Sequence, residues 1–169
     1  MKKILFLIMF LLFIGCSNIQ NRDTENINNL RICEKYCDNW ELDKLESELQ
    51  KIQNKDLVKK FEKCLEEKIL YKKELDNFLQ KIIISIKNNQ ISEIEDKFQN
   101  SISNKKIIKI LKNSDFSEVN IIFSKPEFYK KTAKNKVAFI FLEEVIYLSI
   151  DYKIINGEWR IIRVKDGRE

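Results

Sequence analysis

The spacing of hydrophobic residues changes twice along the chain and divides it into three parts. An uninterrupted apolar run extends from Ile4 to Ile14. Between about Leu30 and Leu111, apolar residues recur at steps of three and four, which predicts amphipathic α-helices. After Asp115 they are β-branched or aromatic and come in short runs, which predicts β-strands. Helices followed by strands indicate an α+β protein.

The helical part first predicts a helical hairpin over residues 30–73. A turn at residues 54–56 joins its arms, and Asp38 is placed to cap a helix restart within the first arm. The second arm is compatible with one long helix or with two helices that break near Tyr71. Shorter helices follow, with expected N-termini at Ser92 (Glu95 completing a capping box) and at Ser103 or Asn104.

The last part predicts an antiparallel sheet with one apolar face and one mixed face, the mixed face being solvated or part of a pocket. Its strands are expected at residues 119–123, 128–132, 136–142, 145–155 and 158–164. Turns between strands are expected at Asn135 and at Glu143-Glu144.

Asn156-Gly157 is the strongest local signal in this part of the chain. An Asn-Gly pair between two strand patterns predicts a two-residue type I′ turn, which pairs Ile155 with Glu158. Counted from this register, strict alternation places Val164 on the mixed face of the sheet.

From about Glu74 onward, the order of elements resembles the nuclear-transport-factor-two-like fold. The closing sequence at residues 152–162, Tyr-Lys-Ile-Ile-Asn-Gly-Glu-Trp-Arg-Ile-Ile, is similar to the last hairpin of many such domains. Cystatin-like sheets share this feature. The resemblance implies an α+β domain over residues 74–169, in which short helices pack on a curved antiparallel sheet.

The N-terminal run is preceded by Lys2 and Lys3 and is shorter than the roughly 20 apolar residues of a membrane-spanning helix. It has the length of a signal-peptide core. Phe13-Ile14-Gly15-Cys16 resembles the bacterial lipobox, with Phe13 at a position usually occupied by leucine.

This resemblance implies a lipoprotein with a signal peptide at residues 1–15, a palmitate-type lipid on Cys16 and a polar tether at residues 16–29. Such a protein is held in the cell membrane or outer membrane and faces the periplasm or the cell surface. The alternatives are an uncleaved anchor or an ordinary secretory signal, with Cys16 incidental.

Three cysteines remain after lipidation, and export favours a disulfide. A helical hairpin brings Cys37 or Cys33 opposite Cys64. A turn centred on residues 50–51 matches Cys37 to Cys64, whereas a turn at Asn54 fits neither pairing cleanly. We favour Cys37–Cys64, and the alternative is that all three are buried as small apolar residues.

The chain contains no histidine, which excludes Ser-His and Cys-His catalysis and histidine metal ligands. Three cysteines without histidine make a weak zinc site, so we expect no metal and no cofactor. The net charge of +5 falls by the two charges of Lys2 and Lys3 to +3 without the signal peptide. Lysines and acids are interspersed and form no basic face, so we expect no nucleic-acid partner.

The fold resemblance also implies a pocket between sheet and helices, where some such domains use a carboxylate and a tyrosine in catalysis. Tyr147 and Asp151 lie four residues apart on one predicted strand face and are the candidates for this role. The alternative is that Asp151 forms an ion pair with Lys153 or Arg160 on an exposed face.

These observations favour a non-catalytic, membrane-anchored protein-interaction module with an unidentified protein partner. Its helical hairpin is expected to present an exposed apolar seam, including Leu45 and Leu49, to that partner. The alternative is a small protein that binds an apolar ligand, or an enzyme, with a cone-shaped pocket between sheet and helices.

Overall fold

The computed structural model describes residues 27–168, and the structural statements below concern these residues. Helices come first and a five-stranded antiparallel sheet follows, so the predicted α+β class is confirmed. The chain divides into two compact units, residues 1–66 and 67–169. The predicted signal peptide and Cys16 lie outside the described residues, as does the predicted tether up to residue 26, whereas residues 27–29 are helical.

The first unit contains helix α1 (residues 27–39), helix α2 (Leu42–Leu49) and the first part of helix α3 (Lys55–Lys87). Asn54 precedes α3, and its Oδ1 accepts hydrogen bonds from the backbone N–H groups of Asp56 and Leu57, both at 3.1 Å. A turn does join the two arms, but it lies at residues 50–54 and not at 54–56, because Asn54 caps α3 and Lys55 and Asp56 already belong to that helix.

The first arm is broken into α1 and α2 at Trp40, and the prediction that Asp38 caps the restart is wrong. Trp40 has φ of 59°, in the left-handed region. Its N–H donates to the C=O of Cys37, and the N–H of Glu41 donates to the C=O of Tyr36. This is the Schellman arrangement, which ends a helix by satisfying its last carbonyl groups.

This break allows the first unit to bury its own apolar residues. Leu45 is fully buried and Leu49 is 8% exposed. The prediction that they form an exposed seam is therefore wrong, because α2 turns them into a core shared with α1 and α3. The buried members of this core are Cys33, Leu45, Leu49, Ile52 and Phe61.

A disulfide joins Cys37 to Cys64, with their Cα atoms 6.5 Å apart, which confirms the favoured pairing. Cys33 lies one helical turn before Cys37 and is a fully buried free thiol. Burial, and secondarily the negative charge of Glu48, raises the pKa of the Cys33 thiol. The thiolate is the nucleophilic form of cysteine. Because the raised pKa lowers the fraction of thiolate, Cys33 is less reactive than an exposed cysteine.

Helix α3 is continuous from Lys55 to Lys87, so the alternative break near Tyr71 does not occur. Two residues beyond its end, Asn89 has φ of 56°, in the left-handed region. The N–H of Gln90 donates to the C=O of Ser85 at 2.7 Å, and that of Asn89 donates to Ile86 at 3.1 Å. Asparagine tolerates this left-handed position better than most residues.

Three short helical segments precede the sheet: two 3₁₀ turns, Ile91–Glu93 and Glu95–Lys97, and helix α4, Ile102–Asn113. The predicted cap at Ser92 is wrong, because this residue lies inside the first 3₁₀ turn. Helix α4 is capped by Ser101, two residues before the predicted start. The Ser101 hydroxyl accepts a hydrogen bond from the N–H of Asn104 at 3.2 Å.

The sheet has five strands: β1 (Asn120–Phe123), β2 (Glu127–Tyr129), β3 (Thr132–Phe141), β4 (Glu144–Ile155) and β5 (Glu158–Asp166). Strands β1 and β2 both pair with β3, and β4 and β5 follow in order, all antiparallel.

Two of the predicted turns are displaced. Asn135 is not in a turn but in the middle of β3, where its Oδ1 accepts a hydrogen bond from the buried Tyr152 hydroxyl at 3.0 Å. The turn that precedes β3 lies at residues 130–131. The turn expected at Glu143-Glu144 lies one residue earlier, with Leu142 at φ of 52°.

The Asn156-Gly157 turn is confirmed. Its residues have φ of 53° and 81°, both in the left-handed region that a type I′ turn requires. Ile155 pairs with Glu158, as predicted.

A β-bulge then shifts the register of β5. Tyr152 pairs with Ile161 but Asp151 pairs with Arg163, so one extra residue lies on β5. Val164 consequently reaches the buried face, opposite Ile150, and its predicted place on the mixed face is wrong.

Aromatic side chains line the sheet where α3 covers it. Tyr152 and Trp159 are buried on the sheet. The ring of Phe78 meets that of Tyr152 edge-on at 6.4 Å, and the indole Nε1 of Trp159 donates to the C=O of Tyr71 at 2.7 Å. The indole N–H thus has a partner despite burial.

Candidate functional site

Strand β4 extends beyond the end of its neighbour β5. Its pairing with β5 ends at Leu148, opposite Asp166, whereas its pairing with β3 continues to Glu144. One further hydrogen bond, 2.8 Å long, joins the N–H of Gly167 to the C=O of Tyr147. Within the described residues, the segment Glu144–Tyr147 therefore has a strand on one side only.

Gly167 holds the end of β5 close to this open edge. A Cβ atom at position 167 would lie 2.8 Å from the backbone carbon of Tyr147 and 2.9 Å from the backbone of Leu148. Only glycine allows so close an approach. The Gly167 carbonyl also accepts a hydrogen bond from Nζ of Lys136 at 2.9 Å. These contacts fix Gly167 as the last residue that lies beside β4 after β5 has ended.

Helix α4 forms the opposite wall of a groove along this edge. Asn104 anchors the helix, because its buried side-chain amide donates to the C=O of Gln99 at 2.9 Å. Ile107 and Ile110 then line the groove together with the start of β4. We call this the β4 groove. Its volume is about 500 Å³, and the lining includes Ser103, Lys106, Ile107, Ile110, Val145, Ile146, Tyr147, Leu148, Val164, Lys165, Asp166 and Arg168.

The apolar residues of the β4 groove are unusually exposed. Ile110 is 54% exposed, Ile146 60% and Tyr147 45%. The exposed apolar surface extends along the β3–β4 hairpin through Phe141 to Leu142, which is 84% exposed at the turn. Contiguous apolar surface of this kind marks interaction sites, whereas isolated exposed apolar residues do not.

Basic residues accompany the apolar lining. Lys106 and Lys165 form no ion pair within the described part of the chain. Asp166 is paired with Arg168, whose guanidinium donates to both carboxylate oxygens, at 3.0 and 2.6 Å. Hydrogen bonds from Arg168 lower the pKa of Asp166 to about 2. The charge of Asp166 is thus compensated, which leaves the groove with a positive balance.

The candidate residues Tyr147 and Asp151 line different grooves. Tyr147 lines the β4 groove, whereas Asp151 lines a groove of about 440 Å³ beside β2. Asp151 is paired with Arg163, whose guanidinium nitrogen lies 2.7 Å from its carboxylate. The expected ion-pair partner was Lys153 or Arg160, and the bulge explains the difference because it places Arg163 opposite Asp151.

Residues 27–168 contain no cluster of three or more cysteine, aspartate or glutamate side chains placed to hold a metal ion. In the same range, no helix is both long and apolar enough to cross a bilayer. Cys16, the candidate lipidation site, lies outside this range.

Sequence reasoning did not single out Ile110, Val145 or Ile146. A signal was present, because Val145-Ile146-Tyr147-Leu148 is apolar without alternation. A strand that reads this way has apolar side chains on both faces. At the end of a sheet, where nothing in the described part covers both faces, some of them must be exposed.

Comparison of the chain with protein-family models, with curated proteins and with solved structures found no match. The function is therefore argued from the residues and their geometry.

Proposed function

We propose that this chain is a lipid-anchored protein of the bacterial cell membrane or outer membrane whose folded part is a non-catalytic protein-interaction module. Two lysines, an apolar run and a lipobox-like Phe13-Ile14-Gly15-Cys16 support the anchor. The observation that carries the interaction role is the exposed apolar lining of the β4 groove and the adjoining hairpin.

The β4 groove replaces the helical seam as the proposed binding surface. Leu45 and Leu49 are buried in the first unit, so they are unsuited to meeting a partner. The β4 groove instead presents side chains held by a paired hairpin and a capped helix. Preorganised side chains lose little conformational entropy on binding, which favours affinity.

The alternative, an apolar-ligand carrier or enzyme with a pocket between sheet and helices, has less support. Tyr152 is fully buried, Trp159 is nearly so, and Phe78 lies against Tyr152. These aromatic side chains occupy the space between sheet and α3 that such a ligand needs. The separation of Tyr147 from Asp151 also leaves the suggested catalytic pair without a common groove.

The anchor is tested by metabolic labelling with radioactive palmitate. We expect label on the wild-type chain and none on Cys16→Ser, with a retained signal peptide in that variant because lipidation precedes cleavage in lipoproteins. Cys33→Ala is the matched control and must keep the label. Label on Cys16→Ser would refute the anchor, and protease digestion of intact and lysed cells then distinguishes surface from periplasm.

The interaction role is tested by site-specific photo-cross-linking in intact cells. A photo-reactive amino acid at position 146 is expected to give one or a few discrete adducts, which Tyr147→Glu in the same chain abolishes. The same probe at position 122, where Ile122 is comparably exposed on β1, is the control. Equal adducts from both positions would indicate nonspecific contact and would refute the role of the β4 groove.

A further inference from the structure

The β4 groove offers backbone hydrogen-bonding groups as well as apolar walls. In a strand, the N–H and C=O of one residue point to the same side, and the side alternates from residue to residue. The C=O of Tyr147 points to the β5 side, where it accepts from Gly167. The backbone groups of Val145 therefore point to that side too, and no strand of the described residues pairs with them there. Such an edge is a template for an added strand.

The open edge is a continuation of the lane that β5 occupies. Strand β5 runs beside β4 as far as Asp166, and the groove begins where that pairing ends. Gly167 already lies beside Tyr147, so the free edge is Glu144–Ile146. This edge is about 10 Å long at 3.3–3.4 Å per residue, enough for an added strand of about three residues. Ile107 and Ile110 of α4 line the groove beside this open edge. They are therefore placed to contact every second side chain of an added strand.

The charges specify which segment fits. Lys165 lies at the end of the groove next to β5, and Lys106 lines the groove from α4. Both lack an ion-pair partner in the described part of the chain. Glu144 lies at the other end of the open edge. A carboxylate on the incoming strand is therefore favoured near Lys165 and disfavoured near Glu144.

We propose that the β4 groove binds an extended peptide segment of a partner protein by strand addition to Glu144–Ile146. The segment carries apolar side chains at alternate positions and a carboxylate that faces Lys106 and Lys165. The backbone hydrogen bonds supply affinity, and the apolar and charged side chains supply specificity. This inference rests on the proposed interaction function and names the kind of partner.

The test is a selection of phage-displayed random octapeptides against the full-length protein in detergent micelles. We expect enriched peptides to alternate apolar residues and to contain Asp or Glu towards one end. Ile110→Glu is expected to weaken their binding at least tenfold, since it adds negative charge to the wall. Ile122→Glu, at a comparably exposed isoleucine on β1, is the matched control and is expected to leave the affinity unchanged.

Two substitutions at one position examine the backbone edge. Val145→Pro removes an N–H that points away from β3 and is expected to weaken peptide binding at least tenfold. Val145→Thr keeps the N–H and the branched shape and is expected to retain binding.

Amide hydrogen exchange gives a readout that needs no variant. Bound peptide is expected to slow exchange of the Val145 amide strongly and that of the Ile146 amide little. The reason is that the backbone N–H of Ile146 already points towards β3.

The two proposals fail in different ways. If selection enriches no peptide, or if binding survives both Ile110→Glu and Val145→Pro, strand addition is refuted. Cross-links from position 146 to a folded partner would then still support the interaction function. A uniform slowing of exchange over residues 144–147, without the two-residue period, also contradicts strand addition and indicates simple apolar covering.

Discussion

The Cys37–Cys64 disulfide is expected to provide much of the stability of the first unit. The part of this unit that the structure describes, residues 27–66, has a small core of five buried apolar residues. Small units bury a smaller fraction of their surface than large domains do, and below about 40 residues they usually need a disulfide, a metal or a partner chain. Reduction of the disulfide is therefore expected to destabilise this unit strongly.

The magnitude follows from the loop that the disulfide closes. Its cysteines are separated by 27 positions. On the chain-entropy model, a loop of this length lowers the free energy of folding by about 3–4 kcal/mol. With a slope of about 1–1.5 kcal/mol per molar urea for a small unit, reduction lowers the urea midpoint by about 2–4 M.

The assay is urea unfolding of the full chain in detergent micelles, oxidised and reduced, followed by fluorine NMR of 5-fluorotryptophan. The chain has two tryptophans, Trp40 in the first unit and Trp159 in the second, so each unit has its own signal. We expect the Trp40 transition to shift by the amount given above. The double variant Cys37→Ala/Cys64→Ala is expected to match the reduced protein and to be insensitive to reductant.

Cys33→Ala separates the two pairings that sequence reasoning left open. With Cys37 bonded to Cys64, this variant keeps the full effect of reductant on the Trp40 signal. If it loses that effect, Cys33 is the bonded residue and our assignment fails. A shift below about 0.5 M in the wild-type chain would refute the argument that loop closure stabilises this unit.

Three further predictions follow from single contacts. Gly157→Ala is expected to cost about 1–2 kcal/mol in thermal or urea unfolding, because a side chain must adopt the left-handed φ of 81° there. Tyr152→Phe is expected to cost about 1–3 kcal/mol, because it leaves the buried Oδ1 of Asn135 without its donor. Carboxyl NMR titration of Asp166 is expected to give a pKa of about 2, and Arg168→Ala is expected to return it towards the ordinary value of about 3.9. Because the folded-state pKa is lowered, the stabilisation by this ion pair is present above about pH 4 and is lost as the pH falls towards 2.

Each of these predictions has a control or a contradicting result. Tyr129→Phe removes an exposed hydroxyl and is expected to change stability by less than about 0.5 kcal/mol. A Gly157→Ala variant as stable as the wild type would contradict the type I′ turn. An Asp166 pKa that does not respond to Arg168→Ala would show that another group lowers it.

Elements whose signals are local could be predicted from the sequence. The helix-to-strand order follows from the change of apolar period, and the Asn156-Gly157 turn follows from the two residues that best tolerate positive φ. The Cys37–Cys64 pairing was among the alternatives because a hairpin of known arm length limits which cysteines can meet.

What sequence reasoning missed depends on contacts between distant residues. Trp40 gives no sign of the left-handed conformation that divides the first arm, because tertiary packing overrides its preference. The β-bulge that moves Val164 to the buried face is invisible to alternation, since one extra residue reverses the faces of all residues after it. Asn135 looks like a turn residue until Tyr152 is placed opposite its strand as a hydrogen-bond donor.

The sequence by itself determined the α+β class, the Asn156-Gly157 turn, and the expectation of an N-terminal lipid anchor, because each rests on residues adjacent in the chain. The tertiary structure alone decided which apolar residues stay exposed. Leu45 and Ile146 are equally apolar in the sequence, yet the first is buried by α1 and α3 and the second lies where β5 has ended. Exposure depends on which segments end beside a residue, and those segments are distant in the sequence.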